Sequence, residues 1–356
     1  MPYLYLLMSS ADPTEDDLEE LPGVGPATAE SLAESGFNSY EGIAAAQPSE
    51  LENLGGVGES TAWEIIEVCQ DKTGLGQFET GMDVKERRKG MLDITFLVDD
   101  LDDLLGGGGI ETQAITEFAG QNSSGKSQVA YQFCVNTQLP EEYGGLSHSV
   151  IFIDTEDTFR PGRVGDMVRG LPDEIIEACM ERDDIEGGVD DEDALEELVD
   201  NFLDQVHIAK SMNSSHQTVL GQKAKDIASD KKGTDWPVGM IIVDSLTAQF
   251  RSDYTGRGEL ADRQQKLNKH MHDLKKAGEH ANAAIIVTNQ AASNPDSYFG
   301  NPNSAIGGNI VGHNSTHRFW IKDSKGDKRI FRLKDSPDNE EAEAPAEITE
   351  GGWKDA

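Results

Sequence analysis

Gly120-Gln121-Asn122-Ser123-Ser124-Gly125-Lys126-Ser127 satisfies the pattern G-x-x-x-x-G-K-[ST] in full, and Gln128 follows it. The glycines permit a loop whose N–H groups wrap phosphates. Lys126 carries charge to the β- and γ-phosphates of a nucleotide, and the Ser127 hydroxyl reaches Mg2+. The strand-like stretch Ala114-Ile115-Thr116-Glu117-Phe118 precedes the motif and a helix-like stretch from Gln128 to Val135 follows it, the context such a loop requires. A second group ends the apolar run Met240-Ile241-Ile242-Val243, at Asp244-Ser245. Asp often ends a strand as a turn residue, but beside a phosphate loop it reads as a carboxylate holding Mg2+. A third follows Ile153, in Asp154-Thr155-Glu156-Asp157-Thr158-Phe159-Arg160. Hydrolysis of a γ-phosphate needs a base to orient water, and Glu156 is the candidate. Asp154 competes for that role, and an ordinary surface carboxylate is the plainer alternative.

These groups need rigid elements behind them. Val150-Ile151-Phe152-Ile153, Met240 to Val243 and Ala284-Ile285-Ile286-Val287 are continuous apolar runs of strand length. Such runs predict strands buried on both faces, hence a mostly parallel sheet flanked by helices over residues 91–335. Upstream, Leu21-Pro22-Gly23-Val24-Gly25-Pro26 and Leu54-Gly55-Gly56-Val57-Gly58-Glu59 each open a helix-like stretch. They predict paired helix–hairpin–helix units over 18–73, which could contact DNA through turn N–H groups or serve as a small protein-binding bundle. Residues 74–90 read as a linker and 1–17 as an acidic, disordered N-terminus with Met8 as an alternative start. Residues 336–356 read as a frayed acidic tail.

The chain has 356 residues, 66 Asp+Glu against 30 Lys+Arg, and a net charge of −36. At face value this opposes a nucleic-acid partner; a protein adapted to a salt-rich cytosol is the alternative. An acidic disordered chain is excluded by 37% hydrophobic residues and the periodic segments. Cys69, Cys134 and Cys179 are odd in number and far apart, so a reducing, cytoplasmic compartment without disulfides or structural zinc is expected. No run approaches the roughly 20 apolar residues of a membrane span, and no membrane partner is expected.

Longer phrases narrow the reading. Ile153 to Pro161 reads I-D-T-E-D-T-F-R-P, and Asp244 to Gln265 reads D-S-L-T-A-Q-F-R-S-D-Y-T-G-R-G-E-L-A-D-R-Q-Q. Thr288-Asn289-Gln290 and Ile306-Gly307-Gly308-Asn309-Ile310-Val311-Gly312-His313 follow. From about Leu18 to Leu333 the chain resembles the archaeal RadA recombinases, of the strand-exchange ATPase family that includes bacterial RecA. The resemblance implies an α/β, RecA-type P-loop core with a small all-α helix–hairpin–helix domain in front. It further implies a DNA-dependent ATPase of DNA repair and homologous recombination, using ATP and Mg2+ with K+ as activator. Such a protein forms a homo-oligomer, a helical filament or a ring, on single-stranded DNA, pairs it with a homologous duplex and works with recombination mediator proteins.

Carried over residue by residue, Glu156 activates water, with Lys126 and Gln290 completing the catalytic set. The nucleotide contacts run from Gly120 to Gln128, Arg160 lies near the adenine, and Gln290 senses the γ-phosphate, as does His313 from a neighbouring subunit. DNA contacts fall at Arg251, Tyr254, Arg257 and Gly258 in a first loop. A second loop, about Ala291 to Gly307, adds Asn294 and Gly307, with Gly308 and Asn309 beyond it. Phe78 of Phe78-Glu79-Thr80-Gly81 docks on the next subunit, a role suited to an aromatic anchor. The sequence departs from the family's pattern at Gln121-Asn122-Ser123, at the four glycines Gly106 to Gly109, at Asn301-Pro302-Asn303-Ser304-Ala305 and at Gly81. A regulatory paralogue that binds ATP and a recombinase without exchanging strands is therefore the alternative; a ring-forming motor on the same core is a third.

The distribution of charge answers the first objection. Residues 1–80 hold sixteen carboxylates and a single base, Lys72. Residues 245–334 hold fourteen Lys+Arg against eight carboxylates, a net +6 on the segment bearing both candidate DNA loops. The acidity thus reads as salt adaptation over a locally basic face, and the N-terminal unit as a poor electrostatic binder of DNA.

Overall fold

A computed structural model describes residues 18–35, 37–44, 46–52, 54, 56–73, 78–254, 256–293 and 303–356. Contacts divide the chain after Arg88.

In the first unit, helices Pro26–Glu34, Tyr40–Ala44, Pro48–Glu52 and Glu59–Thr73 enclose Leu18, Leu21, Leu32, Ile43, Leu51, Ile65 and Ile66. Gly23 and Gly56 adopt left-handed φ values of +73° and +97° in the two turns. Each faces a first-turn threonine of the other hairpin. A Cβ on Gly23 would meet Thr61 Cγ2 at 2.8 Å, and one on Gly56 would lie 3.5 Å from Thr28 Oγ1. The linker expectation needs correction, because Gly81–Arg88 is a helix. Thr80 and Asp83 cap it reciprocally: Asp83 N–H donates to Thr80 Oγ1 at 3.2 Å and Thr80 N–H to Asp83 Oδ2 at 2.9 Å. The Thr80 hydroxyl, donating to Asp83 Oδ2 at 2.7 Å, and the Thr80 N–H together hold the Asp83 carboxyl below its ordinary value.

The second unit contains strands β1 (Asp93–Ile94), β2 (Ile110–Glu111), β3 (Ile115–Gly120), β4 (Ser149–Asp154), β5 (Val206–Lys210) and β6 (Val238–Asp244). They are followed by β7 (Ala284–Ser293), β8 (Asn303–Ala305), β9 (His317–Asp323), β10 (Lys328–Asp335), β11 (Glu343–Thr349) and β12 (Gly352–Asp355). Ten form one sheet, ordered β12-β11-β10-β9-β3-β7-β6-β4-β5, with β8 paired to β7. From β9 to β5 all pairings are parallel. Successive side chains enter opposite layers: Val150 and Phe152 join one core, Ile151 and Ile153 the other. Helices then cover both faces, as the continuous apolar runs require.

Residues 336–356 are not a frayed tail. β11 pairs antiparallel with β10 and β12 with β11, extending the sheet. Ala344, Ala346 and Trp353 are buried. The acidic residues of Glu343-Ala344-Pro345-Ala346-Glu347 alternate with these apolar ones, so the segment is a one-sided strand whose carboxylates point outward.

Beneath helix Ala248–Asp253, His270 lies fully buried beside Gln217, with Nε2 atoms 3.3 Å apart, and near the Phe250 ring. Burial lowers the His270 pKa from 6.5 to about 4. Between those values the unfolded chain holds the extra proton. The stabilising contribution is therefore complete above pH 6.5 and is lost as pH falls towards 4, by up to about 1.4 kcal/mol per pH unit. His270→Leu is expected to flatten this part of the stability profile relative to the parent chain, as read from denaturation midpoints at constant salt.

Candidate functional site

The sheet delivers its chemistry at the carboxyl ends of adjacent strands. Parallel register sets Gly120 of β3 beside Gln290 of β7, and Asp154 of β4 beside Asp244 of β6. Ligands of open α/β sheets bind at this edge. A cleft of about 350 Å³ opens there, lined by Asn122, Ser123, Gly125, Lys126, Ser127, Gln128, Glu156, Thr158, Asp244, Ser245, Gln290, Arg329 and Ile348. A larger cleft, about 570 Å³, lies at Arg182, Asp183, Asp184, Asp204, Asp235 and Trp236. Its carboxylates repel an anionic nucleotide.

The phosphate loop is built by close approach. A Cβ on Gly120 would come within 2.5 Å of Ser124 Oγ, and Gly125 adopts φ +100° as it starts helix Lys126–Asn136. Lys126 Nζ donates to the carbonyls of Gly120 at 3.2 Å and Gln121 at 2.7 Å, which aims the ammonium across the loop mouth. Burial lowers its pKa, while Asp244, Glu156 and Asp323 act in the opposite direction. Trp353 of β12 packs behind the loop, close enough that a Cβ on Gly125 would meet its Cζ2 at 2.8 Å.

Asp244 is buried and its pKa is raised, chiefly by desolvation, with the Thr288 hydroxyl acting in the opposite direction. Its Oδ1 accepts from Thr288 Oγ1, and its Oδ2 is buried without a hydrogen-bond partner. An orphaned carboxylate oxygen beside the Ser127 hydroxyl is an oxygen donor set that fits a hard cation such as Mg2+.

Glu156 Oε1 accepts from Ser245 Oγ at 2.7 Å and from Gln290 Nε2 at 2.9 Å. Gln290 Oε1 in turn accepts from Arg251 Nη1 at 3.1 Å, so the candidate base and the first loop share one amide. Asp154, the competitor, accepts backbone N–H groups of Glu156, Thr158 and Phe159 at 3.1, 3.2 and 2.9 Å and shapes the turn that presents Glu156.

Other expected residues lie outside this cleft. Arg160 is exposed and donates to the carbonyls of Asp157 and Phe159, and His313 is exposed on helix Gly308–Asn314. Tyr254 is engaged by Lys266, whose Nζ donates to its hydroxyl and lies 5.1 Å from its ring centre. Arg257 and Gly258 sit on the short turn Arg257–Glu259. Gly307, at φ +94°, starts the helix holding Gly308 and Asn309. A Cβ on Gly307 would meet Val311 Cγ2 at 2.5 Å. Asn294 lies outside the described residues. Phe78 is fully exposed.

Sequence reasoning missed Ser245, Thr158, Thr288, Arg329, Ile348 and Trp353. Ser245 and Thr288 adjoin recognised residues, whereas Arg329 and Ile348 come from β10 and β11, where no motif marks them.

The model of the Rad51 family matches residues 87–177 and 193–356. The chain belongs to the Rad51 family. A model described as a SAM-like helix-hairpin-helix tandem matches residues 15–71 of this Rad51-family chain. Three proteins named DNA repair and recombination protein RadA align with it over 340 residues each, 96% of this chain and 99% of theirs. That of Halobacterium salinarum is 56% identical, that of Haloferax volcanii 55% and that of Haloquadratum walsbyi 53%. The expected α/β core with its helix–hairpin–helix domain is thus the architecture of the chain. The similarity spans nearly the whole chain and does not favour a regulatory paralogue. No helix among the described residues is long and apolar enough to cross a membrane.

Proposed function

We infer that this Rad51-family chain is a recombinase of DNA repair that couples ATP hydrolysis to pairing and exchange of DNA strands in the cytoplasm. One observation carries the reading: Glu156 in the phosphate cleft and Arg251 of the first candidate DNA loop are hydrogen-bonded to the same Gln290 side chain. In the hydrolysis we propose, the loop N–H groups and Lys126 bind the triphosphate, and Ser127 and Asp244 hold Mg2+. The metal, when bound, neutralises phosphate charge. Glu156, oriented by Ser245 and Gln290, accepts the proton of the attacking water. DNA phosphates that draw Arg251 away would free the Gln290 carbonyl and readjust Glu156, making turnover DNA-dependent. K+ serves as activator, Phe78 as the anchor between neighbouring copies in a filament, and mediator proteins as loaders. Arg160 packs near the adenine, and His313 reaches the γ-phosphate from a neighbouring copy.

The test is ATP turnover with and without single-stranded DNA, from dilute to molar KCl. Stimulation by DNA at high KCl is expected, and DNA-independent turnover at every salt concentration would count against the reading. Arg251→Ala is expected to keep ATP binding, reduce stimulation, and lower the slope of log K against log salt for DNA by about 1.

A further inference from the structure

We propose that Asn289 is a positioning residue that locks the roots of the two candidate DNA loops to one another. Asn289 is fully buried on β7, between Thr288 and Gln290, which serve the nucleotide cleft. Its own side chain turns to the other face of the sheet. Nδ2 donates to Glu117 Oε1 at 2.7 Å and to the Ile306 carbonyl at 2.6 Å, while Oδ1 accepts from Thr247 Oγ1 at 2.9 Å. Thr247 immediately precedes the helix carrying Arg251, and Ile306 is where the second loop returns, one residue before Gly307. One amide therefore holds the base of each loop.

The amide is itself held. Glu117, buried in the middle of β3, accepts from Arg318 Nε at 2.7 Å through its other oxygen. Register places Arg318 beside Glu117 and Asn289 beside Ala119, so all three side chains share one face. The Arg318 guanidinium lies against Gly312, where a Cβ would come within 2.9 Å of Nη1, and so reaches the helix bearing His313. Every polar atom of Asn289 is used, and its donor side faces only acceptors, so carboxylate and hydrocarbon replacements both leave buried partners unsatisfied. A network serving only the sheet would not need to reach both loop roots. Its functional consequence rests on the DNA-dependent reading above: two loops fixed at one point present DNA with a single preset spacing.

The test is amide hydrogen exchange of the full chain at constant high KCl, followed on peptides spanning 245–258 and 303–312. Asn289→Ala is expected to speed exchange of both segments roughly tenfold or more. Thr247→Val, which keeps shape and leaves the Glu117 and Ile306 bonds intact, should release the first segment alone. It should also raise the half-saturating concentration of single-stranded DNA several-fold at unchanged DNA-free turnover. Restoring the hydroxyl with Thr247→Ser should recover both. Unchanged protection in the variants, or loss spread evenly over the sheet, would overturn the assignment. If Asn289→Ala does not fold, the Thr247 pair decides by the same criterion. A parent chain that DNA does not stimulate counts against the proposed function, and exchange then decides this inference alone.

Discussion

Glu156→Gln is expected to slow ATP turnover by roughly 10²- to 10⁴-fold, the usual contribution of a positioned proton acceptor. That corresponds to about 3 to 5 kcal/mol of transition-state stabilisation. The substitution keeps the size of the side chain and its reach to Ser245 and Gln290 but removes the negative charge. Lys126, the loop N–H groups and Asp244 are untouched, so nucleotide affinity should stay within about threefold, placing the loss in kcat rather than KM. Single-turnover hydrolysis with an independent binding titration separates the two quantities. The competing assignment has its own signature. Asp154 accepts three backbone N–H groups, so Asp154→Asn should disorder the turn and lower binding and turnover together. Full turnover in Glu156→Gln would exclude it as the base.

The second large effect concerns stability. Trp353 is almost completely buried, meets the Phe331 ring edge-on at 5.0 Å between centres, and supports Gly125 from behind. Its backbone N–H donates to Gln132 Oε1 at 3.0 Å, tying β12 to the helix that follows the phosphate loop. Trp353→Ala is expected to cost about 3 to 5 kcal/mol. Because the void opens under Gly125, nucleotide affinity should fall with stability. The indole N–H is buried and unpartnered, so Trp353→Phe removes volume and an unsatisfied donor together and should cost much less. Denaturation midpoints at fixed KCl, with and without ATP, check both. Equal midpoints for the Ala variant and the parent would show that the hairpin does not support the loop.

How much of this was readable in the residues depends on how local the chemistry is. The phosphate loop is eight consecutive residues and Asp244 closes an unbroken apolar run, so both were legible at once. The bond from Gln290 to Glu156 spans 134 residues and exists only because β7, β6 and β4 lie side by side in register. No spacing rule exposes it. The same holds for Asn289, whose three partners come from β3 and from the roots of two loops. Two misreadings had local signals that composition concealed. Thr80-Gly81-Met82-Asp83 is a helix-capping pattern inside a stretch that reads as linker. Glu343 to Glu347 alternates between outward and buried positions but is masked by its acidity. Carboxylates on the outer face of a strand report the solvent, and only their period reports the fold.

The support that Trp353 gives to the phosphate loop also sets an order of events. Gln132 and Trp353 stand 221 residues apart, so the ribosome delivers the loop long before the strand that buttresses it. During that interval the phosphate loop stands without the indole that packs behind Gly125.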